Sequence, residues 1–347
     1  MRPTRLTLEK RVVPYSKHHV IKNGGITIMK KMFYTEMLLI LCCIINMNIA
    51  WAADNLVILL DWFANPGHAP LFVAKTHGFF KAENLNVTLL GPADPADPPK
   101  LVAAGKADIA ITYEPHLFEQ VARGLPLVRM GTLIDKPLSC LAVLRNGPIY
   151  TITDLTHKRI GYSGGDVTHL TLKTMLERNH LTLHEVQPIN VHYNLTQALL
   201  SKQVDAITGV MRTFEVIQLD LLGQPARIFL PEKNGIPTYS ELIFVVNKTH
   251  QQDPRLPRFL SALKQAVMYL KKHPEETWND FAKTHPELNN ELNHKAWYAS
   301  LPYFADDPAS FNPSEWQRFG EFMQKNGLIK TLKPLEEYAI ILNSRAN

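Results

Sequence analysis

Cysteine is nearly absent from this chain of 347 residues. There are three, and Cys42 and Cys43 stand together in an N-terminal apolar run, so only Cys140 lies beyond it. One thiol cannot build a disulfide framework or a multi-cysteine metal site. Long apolar runs are missing too: the stretch 37–45 is too short to span a bilayer comfortably. Among 14 histidines only His180 and His184 show helical ligand spacing, and the segment between them lacks the glutamate of a zinc protease. No Gly-x-Ser-x-Gly elbow, Cys–His pair or full phosphate-binding motif occurs. These absences leave no expected metal, cofactor or catalytic residue, so the chain is expected not to be an enzyme.

A charge excess is also lacking once the N-terminus is set aside. Lys30 and Lys31 precede the apolar run, and Ala50-Trp51-Ala52 follows it as a small-x-small site, which together read as a secretory signal. Residues 29–52 are therefore expected to be a signal peptide and 1–28 an N-terminal extension from an over-long translation start. Small residues do not precede Cys42 and Cys43, which argues against a lipid anchor. Of 37 basic and 32 acidic residues, 8 and 2 fall at or before residue 53, leaving 29 and 30, so the formal charge drops from +5 to −1. Nothing basic remains to bind nucleic acid or an anionic membrane. An exported, cysteine-poor globular protein points to the bacterial periplasm or cell surface, with no stable membrane insertion after cleavage.

What the chain does contain is repeated β/α grammar. The aliphatic run 56–60 stops abruptly at Asp61, Trp62 and the Pro66-Gly67 turn, as a buried strand does when it feeds a ligand-facing loop. Trp62 is then either a cleft residue at a strand's carboxyl end or an ordinary core aromatic. A helix is predicted over 71–79 and an alternating strand over 85–90. The turn-rich Gly91-Pro92-Ala93-Asp94-Pro95-Ala96-Asp97-Pro98-Pro99 opens a helix over 100–104. A strand over 108–112 then leads to the loop Tyr113-Glu114-Pro115-His116. The pattern returns as helix 197–201, strand 205–208 and loop 209–215, so Asp108 and Asp205 align. In between, 153–158 reads as a short capped helix. Ser163-Gly164-Gly165-Asp166 opens a longer one, where glycine backbone could approach a polar ligand or simply turn the chain.

Beyond the strand 242–246 the sequence turns helical. Phe259, Leu260, Leu263, Val267 and Leu270 mark one helix face, and Asn312-Pro313-Ser314-Glu315 forms a capped helix start. The organisation expected is a first lobe over 53–143, a second over 144–243, and a return with C-terminal helices over 244–347. The strands near 141–144 and 243–246 are expected to be the crossings that carry the hinge.

Several motifs carry a resemblance. Leu60-Asp61-Trp62-Phe63-Ala64-Asn65-Pro66-Gly67-His68-Ala69-Pro70, Gly78-Phe79-Phe80-Lys81, Gly105-Lys106-Ala107-Asp108, Ala122-Arg123-Gly124-Leu125-Pro126 and Lys158-Arg159-Ile160-Gly161-Tyr162 resemble the thiamine-pyrimidine substrate-binding family. That family includes periplasmic receptors for hydroxymethylpyrimidine or formylaminopyrimidine and fungal pyrimidine-phosphate synthases, and related receptors take sulfonates or nitrate. The resemblance implies an α/β fold of the type II periplasmic-binding kind, with two lobes and a two-crossing hinge. It also implies a monomer that serves the permease and ATPase subunits of an ABC importer.

Trp62 and Tyr113 offer flat faces for a pyrimidine, and a carboxylate can accept from its exocyclic amine. By resemblance Glu215 is the preferred acceptor, with Glu114 an alternative from the first lobe. Asn65, His68, His116, Ser163, Gly164, Gly165 and Tyr239 complete the expected ligand-binding set. The synthases place a cofactor-binding lysine four positions before a histidine that corresponds to His116, but that position here is Thr112. Their cysteine-rich stretch falls on Thr238-Tyr239-Ser240-Glu241-Leu242, which has no cysteine. The expected function is delivery of a thiamine-precursor pyrimidine, with a sulfonate receptor or a synthase-like enzyme as alternatives.

Overall fold

The strands confirm the β/α grammar and divide into two sheets that follow the same rule. The computed structural model describes residues 53–163 and 166–342, without the side chains of 166–170. The expected extension 1–28, the leader 29–52, and Gly164 and Gly165 lie outside the described residues. The first sheet contains β1 (Asp54–Leu59), β2 (Leu85–Leu90), β3 (Ile109–Thr112), β4 (Leu127–Ile134) and β10 (Leu242–Asn247), in the order β2-β1-β3-β10-β4. The second contains β5 (Ser139–Leu144), β6 (Arg159–Tyr162), β7 (Gln187–Asn190), β8 (Ala206–Met211) and β9 (Ala226–Phe229), in the order β7-β6-β8-β5-β9. In each sheet three strands run parallel, while the strand arriving from the other lobe inserts antiparallel beside the third. Two α/β lobes joined by two crossings are the periplasmic-binding-protein architecture.

Burial explains which segments become central strands. The central strands β3 and β10 are buried along their whole lengths, as strands covered on both faces must be, whereas edge strand β2 alternates toward solvent. The other edge strand, β4, is also buried throughout, with Ala339 bridging to Arg129 on its outer side. The aligned Asp108 and Asp205 do the same work in the two lobes. The Asp108 carboxylate accepts from Val57 N at 2.8 Å and that of Asp205 from Arg159 N at 2.9 Å, each tying the turn before a strand to its parallel neighbour.

The C-terminal helices close the first lobe. The helix Arg255–Lys272 buries Phe259, Leu260, Leu263, Val267 and Leu270, the face predicted from spacing. Asn312 caps Pro313–Lys325 by accepting from Ser314 N and Glu315 N. Arg129 of β4 is wholly buried, and its guanidinium donates to the carbonyls of Ala309, Ser310 and Ile340, which pins the returning chain to the sheet.

Two expectations need correction. The segment near 153–158 is a 3-10 turn over Ile152–Leu155, capped reciprocally by Thr151 and Asp154. The lobe boundary also falls earlier than 143, and the apolar strands near 141–144 and 243–246 are not themselves the crossings. β5 pairs with β8 and β9 and so belongs to the second sheet, while β10 is buried in the first. The crossings are the irregular segments 135–138 and 230–241. Apolar runs mark the strands into which the crossings lead, because buried backbone needs sheet partners that a hinge cannot supply.

Candidate functional site

The carboxyl ends of β1, β3 and β8 converge on a cavity of about 100 Å³ between the sheets. Its first wall starts where β1 ends. Asn65 fixes the turn by accepting from Gly67 N at 2.7 Å and donating to Phe63 O at 2.9 Å. Glycine suits position 67, because a Cβ there would lie 2.9 Å from Asn65 Oδ1. The turn folds His68 back onto Asp61, with His68 Nε2 and Asp61 Oδ1 2.8 Å apart, and Tyr113 Oη donates to Asp61 Oδ2 at 2.6 Å. Burial opposes the Asp61 charge, but the His68 and Tyr113 contacts outweigh it and hold the carboxyl below its usual range. Burial and the Asp61 charge push the Tyr113 hydroxyl well up, so it stays a donor.

The second lobe brings the other wall. Gly209 is the extra residue of a bulge in β8 and has φ of +83°, a conformation that favours glycine. The bulge leads to Met211, whose N–H donates to Glu215 Oε2 at 2.8 Å at the start of the helix Glu215–Leu221. Burial raises the Glu215 carboxyl to about 7, working against the Met211 hydrogen bond. Glu241 reaches in from the second crossing; burial raises it to about 7 as well, although Leu138 N and Ser139 N donate to it.

Aromatic side chains close the mouth. The rings of Trp62 and Tyr193 meet edge-on with centroids 4.4 Å apart, and Phe63 approaches Phe214 at 6.0 Å. Tyr193 Oη donates to Pro92 O at 2.9 Å, so the Pro-Ala-Asp loop of one lobe is latched to the other. The lobes are closed over the cavity. Trp62 Nε1, His68 Nδ1 and Thr208 Oγ1 are buried at this cavity with no hydrogen-bond partner among the described residues. Buried polar atoms are rarely left so, and here they offer a donor, a ring nitrogen and a hydroxyl to an incoming molecule.

Of the expected ligand-facing residues, Trp62, Asn65, His68, Tyr113, His116, Ser163, Glu215 and Tyr239 all line this cavity. Trp62 is half-buried at the mouth, between the two readings its sequence allowed. Glu114 does not line it. Its Oε2 accepts from Ser240 N at 2.7 Å, and it faces a second cavity behind the first. Burial raises it to about 8. The side chain of Glu114 turns away because it starts a helix, while its neighbours Tyr113 and Pro115 face the cleft. Sequence reasoning missed Asp61, Thr208, Phe214 and Glu241, which line the cavity, and Tyr193, which covers it. The acid directly before Trp62 was the one available signal among them.

Thr112 is buried in β3, so no amine occupies the position four residues before His116. Among described helices none is long and apolar enough to cross a membrane.

Comparison with known proteins agrees with this architecture. The chain is 44% identical over 292 residues to a Haemophilus influenzae protein named for thiamine biosynthesis, covering 84% of this chain and 93% of that one. It is 28% identical over 252 residues to the formylaminopyrimidine-binding protein of Halalkalibacterium halodurans, covering 72% and 76%. A 4-amino-5-hydroxymethyl-2-methylpyrimidine phosphate synthase of Legionella pneumophila is 26% identical over 289 residues, covering 82% and 89%. Among solved structures, the alkanesulfonate-binding protein of Xanthomonas axonopodis pv. citri bound to MOPS superposes with a TM-score of 0.67 at 18% identity, covering 84% and 99%. The profile described as NMT1/THI5 like matches residues 65–277, and the chain belongs to that family.

Proposed function

We propose that this protein is the periplasmic substrate-binding subunit of an ABC importer and that its ligand is a thiamine-precursor pyrimidine of the hydroxymethyl- or formylamino- type. One observation carries the reading: the cavity is walled by aromatic rings and by the carboxylates of Asp61, Glu215 and Glu241, and no lysine or arginine is among its described lining residues. An aminopyrimidine supplies a flat ring for Trp62 and an exocyclic amine for Glu215. A sulfonate would meet three acids and no lining lysine or arginine to pair with it, which is unfavourable in a buried site. The formylaminopyrimidine-binding relative supports the same ligand class.

The synthase relatives favour a second reading, in which the protein makes the pyrimidine rather than binding it. Thr112 weighs against this, because a hydroxyl cannot form the Schiff base that such chemistry needs.

Native mass spectrometry of the purified protein, followed by calorimetry with the two pyrimidines and an alkanesulfonate, tests the proposal. Saturable pyrimidine binding with no sulfonate binding is expected. Tighter sulfonate binding would overturn the ligand class. Pyrimidine formed on adding pyridoxal phosphate and iron would replace the receptor by the enzyme.

A further inference from the structure

On the first lobe, away from the cleft, two helices bring together a mixed set of nitrogen and oxygen donors. His77 follows the helix Ala69–Thr76, while Glu276 and Asp280 lie one turn apart on the helix Pro274–Thr284. One donor atom from each of the three lies within 4.8 Å of the others, and among the described residues this is the one such group. His77 Nε2 is 3.2 Å from Asp280 Oδ2, yet this shielded nitrogen makes no hydrogen bond. Two ligands on one tetrahedral ion with bonds of about 2.0–2.1 Å stand about 3.3 Å apart, which is the separation seen.

The surroundings hold these groups in place. The His77 ring lies against Tyr269 at 4.7 Å and is stacked near Phe79 at 6.5 Å. Tyr269 Oη donates to Glu276 Oε1 at 2.7 Å, an orienting contact of the kind that supports metal ligands. Oε2, the other oxygen, is 3.5 Å from Nδ1 of His273, whose ring stacks on Tyr269 at 4.5 Å. One imidazole and two carboxylates thus stand around one point, with the His273 ring beside Glu276, each from a residue with solvent access.

We infer that His77, Glu276 and Asp280, with His273 beside them, form a site for a divalent transition-metal ion that clips the end of one surface helix to another. The imidazole nitrogen selects zinc, nickel or cobalt over magnesium or calcium, which prefer oxygen-only shells. Sequence spacing could not show this, because the histidine and the two acids come from distant parts of the chain. Nothing in the inference depends on which molecule fills the cleft.

The test uses the purified, tag-free protein with zinc chloride in calorimetry and cobalt chloride in visible absorption. One equivalent of zinc should bind and raise the melting temperature, and cobalt should show the intense bands of a low-coordinate site. His77→Ala and Asp280→Asn should each weaken binding at least tenfold and remove the thermal shift, whereas His184→Ala, at an exposed position on the other lobe, should change neither. Absence of saturable binding, or equal binding by wild type and both variants, would overturn the site and leave only a surface ion pair.

Discussion

Glu241 Oε2 accepts from the backbone N–H of Leu138 at 2.5 Å, so a carboxylate on the second crossing holds the first. Ser139 N donates to the same oxygen at 2.9 Å, and Arg212 grips the other side of the strap by donating to the carbonyls of Leu138 and Ser139. Glu241→Ala should therefore strip two backbone donors of their partner. Each such loss costs about 1–3 kcal/mol when the group stays buried. Urea unfolding should show a lower midpoint, largely restored in Glu241→Gln, which keeps an acceptor. An alanine variant as stable as wild type would remove Glu241 from the strap.

Trp62 stands at the mouth against Tyr193 rather than in a lobe core. Trp62→Ala should weaken the pyrimidine ligand by about 1–3 kcal/mol, the scale of one aromatic stacking partner, with little effect on the melting temperature without ligand. Equal calorimetric affinities for the variant and wild type would count against stacking.

Glu215 faces the cavity with one oxygen committed to Met211 N. A carboxylate accepting from an exocyclic amine contributes about 1.5–3 kcal/mol, and an amide of the same shape loses the charge. Glu215→Gln should raise the Kd of an aminopyrimidine by about tenfold or more. A titration with no change would take Glu215 out of the ligand contacts while leaving the fold untouched.

Three buried carboxyls set the pH dependence. Burial raises Glu114 to about 8 and Glu215 and Glu241 to about 7, against 4.5 for the ordinary side chain. Across that window the folded protein holds protons that the unfolded chain releases, so stability should fall as pH rises from 4.5 toward 8. Asp61 has the opposite sign, since its lowered carboxyl adds stability that is lost only on acidification below its ordinary 3.8. Thermal unfolding of ligand-free protein over this range should show the decline, and Glu114→Gln should flatten its upper part. Stability that rises with pH would contradict the burial of these groups.

The sequence made strands and their terminal loops legible because burial writes itself as apolar runs, and polar residues such as Tyr113 and Glu215 follow those runs directly. It also showed that Asp108 and Asp205 match, and both tie a turn to a parallel neighbour. The direction of a side chain was less visible. Glu114 and Tyr113 are adjacent, yet one faces the cleft and the other the space behind it, a difference set by the first turn of a helix. Tyr193 was invisible for another reason: it meets Trp62 only through lobe closure, and no local pattern encodes a contact between residues so far apart in the chain. Glu241 was hidden by its position in a crossing, where neither strand nor helix periodicity applies.

The placement of β10 between β3 and β4 bears on the order in which the molecule can take shape. Residues 53–134 contain four strands of the first sheet but lack the one that joins β3 to β4. The second sheet is drawn from an uninterrupted stretch, β5 to β9. As the chain emerges from its N-terminus, the later lobe therefore has its full set of strands first. The earlier lobe, although all its other strands are already present, must wait for residues 242–247 before its two halves can be zipped together.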